Sequence, residues 1–231
     1  KELLSAWDGE LATDSSAASV WVLSLGNLMT RLVRTHAPHT AGRALGAGYL
    51  PDLPHTTILT RRVGHLAKLI LRDEPGIFAE GWPAAIARAM GDAVRRLRDV
   101  AGDDPGAWRW GSLRPLRLSH PFARTLPALD YAFGLGPEPF GGDSTTIAQG
   151  TPNLVDPLSA PVGVANLRVT IDVGAWENSR FCLLAGQSQN PFSPHYADQR
   201  AAFEGEGLTL AWSEAEAEAR SKHLLVITPR R

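Results

Sequence analysis

The sequence predicts an α+β fold, and three observations predict it. Apolar residues recur at helical spacing up to about Val100. From Trp108 onward the apolar runs shorten to strand length, and Gly and Pro become frequent. The two kinds of segment are grouped along the chain, whereas a wound parallel sheet would alternate them. The expected organisation is one structural unit in two parts: a helical part over residues 1–107, and a part rich in strands and long ordered loops over 108–231.

The first long helix is expected behind Asp14, whose side chain can accept from free N–H groups at a helix start. Ala17, Trp21, Leu25, Leu28 and Leu32 follow at helical spacing. A second apolar stripe runs through Ile58, Leu59, Leu66, Leu69 and Ile70. Between the two, "HAPHTAGRALGAGYLPDLPH" holds too many Gly and Pro to be regular. A third helix starts near "EGWP", where Pro83 suits a first turn, and runs through Ile86, Met90, Val94 and Leu97. "LRPLRLSHP", "NLRVTIDVG", "RFCLLAG" and "HLLVITP" read as strands, expected to be mainly antiparallel. "SEAEAEARS" reads as a short helix, with Ser213 as its cap and Glu216 completing a capping box.

Composition narrows the function classes. Hydrophobic residues make up 44% of the 231 and charged residues 20%, an ordinary globular balance. The net charge of −1 leaves no basic footprint for nucleic acid or an anionic membrane. No apolar run approaches bilayer length. Cys182, the one cysteine, rules out a disulfide within the chain and a thiolate zinc site. It lies in an apolar run, where it is expected to be buried and inert. The chain starts without Met, with Leu3, Leu4 and Trp7 already in an apolar pattern. It is expected to be part of a longer polypeptide, with any export signal upstream.

The segment "GQSQNPFSPHYADQ", Gly186 to Gln199, carries the densest polar chemistry. "GQSQN" is not the nucleophile elbow of a hydrolase, because Asn190 stands where the second Gly belongs. Ser188 or Ser193 with His195 and Asp198 could supply a triad, but one short loop broken by Pro seldom holds all three members in rigid geometry. His195 and Asp198 lie three apart, yet a metal needs three or four ligands. The expected role is local: these side chains satisfy backbone groups in an ordered, partly buried loop. "GPEPFGGDS" lacks the Lys-Ser/Thr ending of a phosphate loop and is read as tight turns in which Asp143 bonds nearby N–H groups. In "DVGAWENSRF", Asp172 and Glu177 lie five apart; the spacing is read as an ion pair of Glu177 with Arg180 beside a packed Trp176.

In order, "LLSAWDGELATDSSAAS", "GLGPEPFGGDSTT", "VTIDVGAWENSRFCLLAGQSQNPFSPHYADQ" and "HLLVITP" resemble the closing part of the β chain of the penicillin acylase family. That family belongs to the N-terminal nucleophile amidohydrolases. The specific part is Trp176 to Gln199, where Trp176, Asn178, Ser179, Arg180, Gly186, Gln187, Ser188, Pro191, Ser193, Pro194, His195, Asp198 and Gln199 fall where the family pattern has them. Gln189 stands where a Gly is usual, Ser144 replaces a common Gly, and Ala148 sits about where an Asn is often found, so penicillin is not carried over as the substrate.

The resemblance implies the C-terminal portion of an αββα architecture. It also implies an amidohydrolase that cleaves an acyl amide of a β-lactam, an N-acyl homoserine lactone or another N-acyl amine. The Ser nucleophile and the oxyanion donors would lie upstream of Lys1, and the chain alone would be inactive. Asp172 lies about where some relatives place an acid that orients a His. Trp176, Asn178, Arg180, Gln187, Ser188, His195 and Asp198 would be scaffold supporting the pocket. No added cofactor is implied, and no metal ligands in this chain. The implied partner is the rest of the precursor, α chain and N-terminal part of the β chain, in the periplasm or outside the cell. Without that partner the chain is expected to self-associate. Two other readings remain: a non-catalytic binding or assembly module on the same scaffold, and a self-contained serine hydrolase using Ser193, His195 and Asp198.

Overall fold

The computed structural model describes residues 2–46, 62–223 and 225–227. The elements run in order as helices α1 (Glu2–Ser5), α2 (Ser16–His36), α3 (Ala41–Ala44), α4 (Val63–Leu71), α5 (Trp82–Ala101) and α6 (Trp110–Leu113). Strand β1 (Leu116–Leu118), helix α7 (Ala128–Phe133) and strands β2 (Leu135–Glu138), β3 (Gly150–Thr151), β4 (Gly163–Val164), β5 (Leu167–Thr170) and β6 (Arg180–Leu183) follow. Helix α8 (Arg200–Glu204), strand β7 (Leu208–Thr209) and helix α9 (Glu214–Arg220) complete the order. The long helices α2 and α5 precede the small antiparallel sheets, and only short helices follow among the strands, in keeping with an α+β fold.

Two compact units divide the chain, Lys1–Val164 and Ala165–Arg231. The change of character at Trp108 is a change of secondary structure, and it does not coincide with this division. The reason is packing: Trp108, Trp110 and Leu154 all lie in the core that the helices build.

In the first unit, α2 and α5 form the core. On α5, Ala85, Ala89, Ala93 and Leu97 recur every four residues and are at most 3% exposed. Small side chains on that ridge let the backbones approach closely. On α2, Ala18, Val22 and Met29 are buried. Helix α5 starts with Pro83 in its first turn, as expected, and ends at Gly102, whose φ of 80° is open to glycine at little cost. The cap of α2 is Ser15, not Asp14: the Ser15 hydroxyl accepts from Ala18 N–H at 3.2 Å, three residues on, which is cap geometry. The Ile58 and Leu59 end of the second apolar stripe lies outside the described residues, as do His55 and Arg231. Among the described residues no helix is long and apolar enough to cross a membrane.

In the second unit, β5, β6 and β7 form a sheet in that order, all antiparallel. The expected strand "HLLVITP" is corrected: its described residues, His223 and Leu225 to Ile227, have no regular structure. The strand that pairs with β6 on the side away from β5 is Leu208–Thr209, opposite Arg180 and Phe181. Helix α9 has the expected Ser213 cap, while the Glu216 side chain reaches one residue past the cap. Ser213 Oγ accepts from Glu216 N–H at 3.1 Å, and the Glu216 carboxylate accepts from Trp212 N–H at 3.1 Å.

Candidate functional site

The chemistry-bearing residues of the second unit sit on two connections: the turn between β5 and β6, and the loop after β6. In the turn, Gly174 has φ 102°, and a 3₁₀ turn over Trp176–Asn178 follows. Ser179 is fully buried, and its hydroxyl accepts from Asp172 N–H at 3.1 Å. Asn178 Nδ2 donates to Asp172 Oδ2 at 3.1 Å. Arg180 Nη1 donates to the carbonyls of Asn178 at 2.7 Å, Ser179 at 3.2 Å and Glu177 at 3.4 Å. The expected ion pair of Glu177 with Arg180 is therefore corrected. The guanidinium lies back along its own chain and ties the turn through carbonyl oxygens. Trp176 packs against Trp212, ring centroids 5.0 Å apart.

The turn thus holds an exposed carboxylate, Asp172, from two sides: its backbone by Ser179 and its side chain by Asn178. A carboxylate so placed accepts hydrogen bonds and can orient a donor such as an imidazole N–H.

The loop from Gly186 to Gln199 is held by hydrogen bonds to itself. Ser188 Oγ accepts from Asn190 N–H, Asn190 Oδ1 from Phe192 N–H and Ser193 Oγ from His195 N–H, each at 3.1 Å. Ser188 N–H donates to the His195 carbonyl at 3.0 Å, closing the loop across its base. Gly186 lies against that carbonyl, where a Cβ would overlap it. These are the short-range bonds that Ser and Asn favour in turns. His195 Nδ1 pairs with Asp198 Oδ2 at 2.8 Å, on a surface where the His side chain is 68% exposed. Gln187 is exposed, and its side chain makes no hydrogen bond among the described residues.

The structure brings His195 and Asp198 together and leaves Ser193 out. The Ser193 hydroxyl serves the main chain of His195, not its ring, so the three do not form a hydrogen-bonded row. Among the described residues, no three His, Cys, Asp or Glu gather where they could hold a metal ion. Cys182 is buried at 1% exposure on the face of β6 opposite Phe181.

Two anchors escaped the sequence reading. Gln199 is buried just before α8, and its Oε1 accepts from Leu183 N–H at 2.8 Å, so one side chain joins the loop's end to β6. Its signal was weak: a polar residue at a helix start, buried where exposure is the norm. In the first unit, Arg114 is fully buried beneath the loop that follows β2. It donates to the carbonyls of Gly142 at 3.2 Å and Gly150 at 2.7 Å and lies over the Trp110 ring, 4.1 Å from its centroid. Burial pushes this guanidinium down to about 10, against the pull of Asp143. Asp143 Oδ1 in turn accepts from Thr145 N–H at 2.7 Å and Thr146 N–H at 3.2 Å, the turn chemistry expected of it.

The sequence profile of the penicillin amidase family matches residues 1–219. The penicillin acylase 2 proenzyme of Pseudomonas sp. (strain SE83) is 28% identical over 232 residues, covering 98% of this chain and 28% of that protein. The acyl-homoserine lactone acylase QuiP of Pseudomonas aeruginosa is 32% identical over 210 residues, covering 84% of this chain and 24% of that protein. QuiP of Pseudomonas putida is 33% identical over 119 residues, 52% of this chain and 14% of that protein. The chain spans about a quarter of the length of the first two of these relatives.

Proposed function

The chain belongs to the penicillin amidase family, and from that premise we propose that it is one part of an amidohydrolase whose attacking Ser lies outside these residues. The substrate is an acyl amide: a β-lactam side chain, an N-acyl homoserine lactone or another N-acyl amine. The Ser hydroxyl adds to the amide carbonyl and the amine departs with a proton. Water then cleaves the acyl ester and restores the hydroxyl. An α-amino group on that Ser, with a pKa near 8, is a fitting base. The precursor cuts itself to expose the Ser, and the enzyme works in the periplasm or outside the cell.

In this reading Asp172 orients a donor at the reacting centre. Trp176, Asn178, Arg180, Gln187, Ser188, His195 and Asp198 keep the turn and the loop in shape. Sites hold their geometry through such support.

The observation that carries the proposal is the sheet of β5, β6 and β7. Its Cys182 face is closed, with Phe203 of α8 buried and Arg168 bonded to the Phe203 carbonyl. Its other face presents Leu167, Val169, Ile171 and Leu208, all more than 40% exposed, in register with Phe181 and Leu183. An apolar sheet face of this kind needs a covering layer. The remainder of the precursor, α chain and N-terminal part of the β chain, is the proposed cover.

The test is acyl release from an N-acyl homoserine lactone and from a β-lactam by the full precursor. Wild type is expected to hydrolyse at least one of them, and Asp172→Asn to lower kcat by about tenfold to a hundredfold with little change in KM. Full activity of Asp172→Asn would remove Asp172 from the proposal. A precursor that binds such amides without cleaving them would replace the enzyme with a binding module.

A further inference from the structure

A polar groove in the first unit plays no part in the acylase reading. It lies on the flank where α2 crosses α5, holds about 420 Å³, and is lined by Asn27, Thr30, Arg31, Arg34, Arg88 and Asp92 among others. Asn27 is committed, since its Nδ2 donates to the Ala89 carbonyl at 3.1 Å. Asp92 is paired with Arg95, and Arg31 with Glu80. Arg31 also lies over the Phe78 ring, 5.3 Å from its centroid, which holds the guanidinium against the segment that precedes α5.

Two features remain unanswered. Arg31 Nη1 is buried and has no hydrogen-bond partner among the described residues. A buried donor without an acceptor is costly, so an oxygen belongs there. The exposed side chains of Arg34 and Arg88 have neither a hydrogen bond nor an ion pair among the described residues. Arg88 is near enough to Glu80 to help hold that carboxyl below its ordinary range, after the carboxyl's own backbone hydrogen bond and Arg31. Three guanidinium groups line the groove; Arg31 is paired with Glu80, and the one carboxylate in the lining, Asp92, is paired with Arg95, which does not line it.

We propose that this groove binds a phosphate-type dianion through Arg31 Nη1, Arg34 and Arg88, with Thr30 as a hydroxyl donor. One carboxylate is filled by a single bidentate guanidinium, whereas guanidinium forks arriving from two helices suit tetrahedral oxygens and a double negative charge. The groove is larger than a phosphate ion, so the ligand is a phosphomonoester, either a soluble one or a lipid headgroup.

Calorimetric titration of inorganic phosphate into the 231-residue chain, at ionic strength held constant with chloride, tests the site. Saturable binding is expected. Arg34→Ala/Arg88→Ala together should weaken it at least tenfold with an unchanged melting profile, and Arg34→Lys/Arg88→Lys should fall between the two. Co-sedimentation with phosphatidylcholine vesicles, with and without phosphatidic acid, separates the sources. Pelleting that needs both phosphatidic acid and the two arginines assigns a headgroup, and phosphate binding without pelleting assigns a soluble ester. No saturation above the chloride control, or equal binding by the double-Ala variant, would make the groove a solvated helix flank and overturn the proposal.

Discussion

The unit ending at Val164 and the unit beginning at Ala165 are stabilised in different ways. The first closes an apolar core of its own, with Leu97, Trp110 and the Ala85, Ala89, Ala93 ridge essentially out of solvent. The second has a short list of buried apolar side chains, chiefly Cys182, Leu184 and Phe203, and a long list of loop hydrogen bonds. Burial of a large aliphatic side chain contributes roughly 1.5–3 kcal/mol, and a hydrogen bond about 1. The first unit is therefore held chiefly by its packed core. The second is a shaped surface whose apolar sheet face still calls for a partner.

The largest expected effect strikes the first unit. Leu97→Ala leaves a cavity between α5 and the core, and should cost about 2–5 kcal/mol in denaturant unfolding. A loss below about 1 kcal/mol would mean that the α2–α5 core is not what holds this unit together. The comparison is sharpened by a hydrogen bond in the second unit. Gln199→Ala strands the Leu183 N–H and should cost about 1–3 kcal/mol, with faster amide exchange at Leu183 and little change among the α5 amides. Equal acceleration in α5 would show that the two units unfold as one.

A smaller effect depends on pH. Arg117 Nε donates to Asp130 Oδ2 at 2.6 Å, and that bond chiefly holds the Asp130 carboxyl below the ordinary carboxylate range. With the folded value below the unfolded one, the pair's contribution is fully present above about pH 4 and is lost as pH falls through the folded value. The stability gap between wild type and Arg117→Gln should be constant near neutrality and narrow in acid. A gap that does not change down to the acid transition would refute this. The smallest expected effect on stability is that of Val169→Lys, because Val169 is 48% exposed. Its effect belongs to association: light scattering should show self-associating wild type and a more monomeric variant. A wild-type monomer that binds no hydrophobic dye would remove the need for a covering layer.

The same contrast explains what could be read in advance. Helix α5 was legible because Pro83 and the apolar period point to one answer. Strands β5 and β6 were legible from their apolar runs, and the shape of "GGDSTT" from the turn chemistry of Asp143. The loop of Ser188, Asn190 and Ser193 was legible as a set of backbone acceptors, because these side chains reach only two residues away. What failed was non-local. The choice of Leu208–Thr209 over the more apolar "HLLVITP" as the partner of β6 depends on how the chain returns after α8. Arg114 reaches Gly150, 36 positions along the chain, and no periodicity encodes such a reach. Arg180 turned to carbonyls where spacing suggested the Glu177 carboxylate, because its own turn offers three backbone acceptors to one Nη1.

The central claim is that these residues shape a site without supplying its nucleophile. The most direct measurement is turnover of an activated acyl ester by the 231-residue chain alone, beside Ser193→Ala and His195→Ala. The account predicts a rate indistinguishable from buffer for all three proteins. Turnover by the wild-type chain that disappears in Ser193→Ala would contradict it.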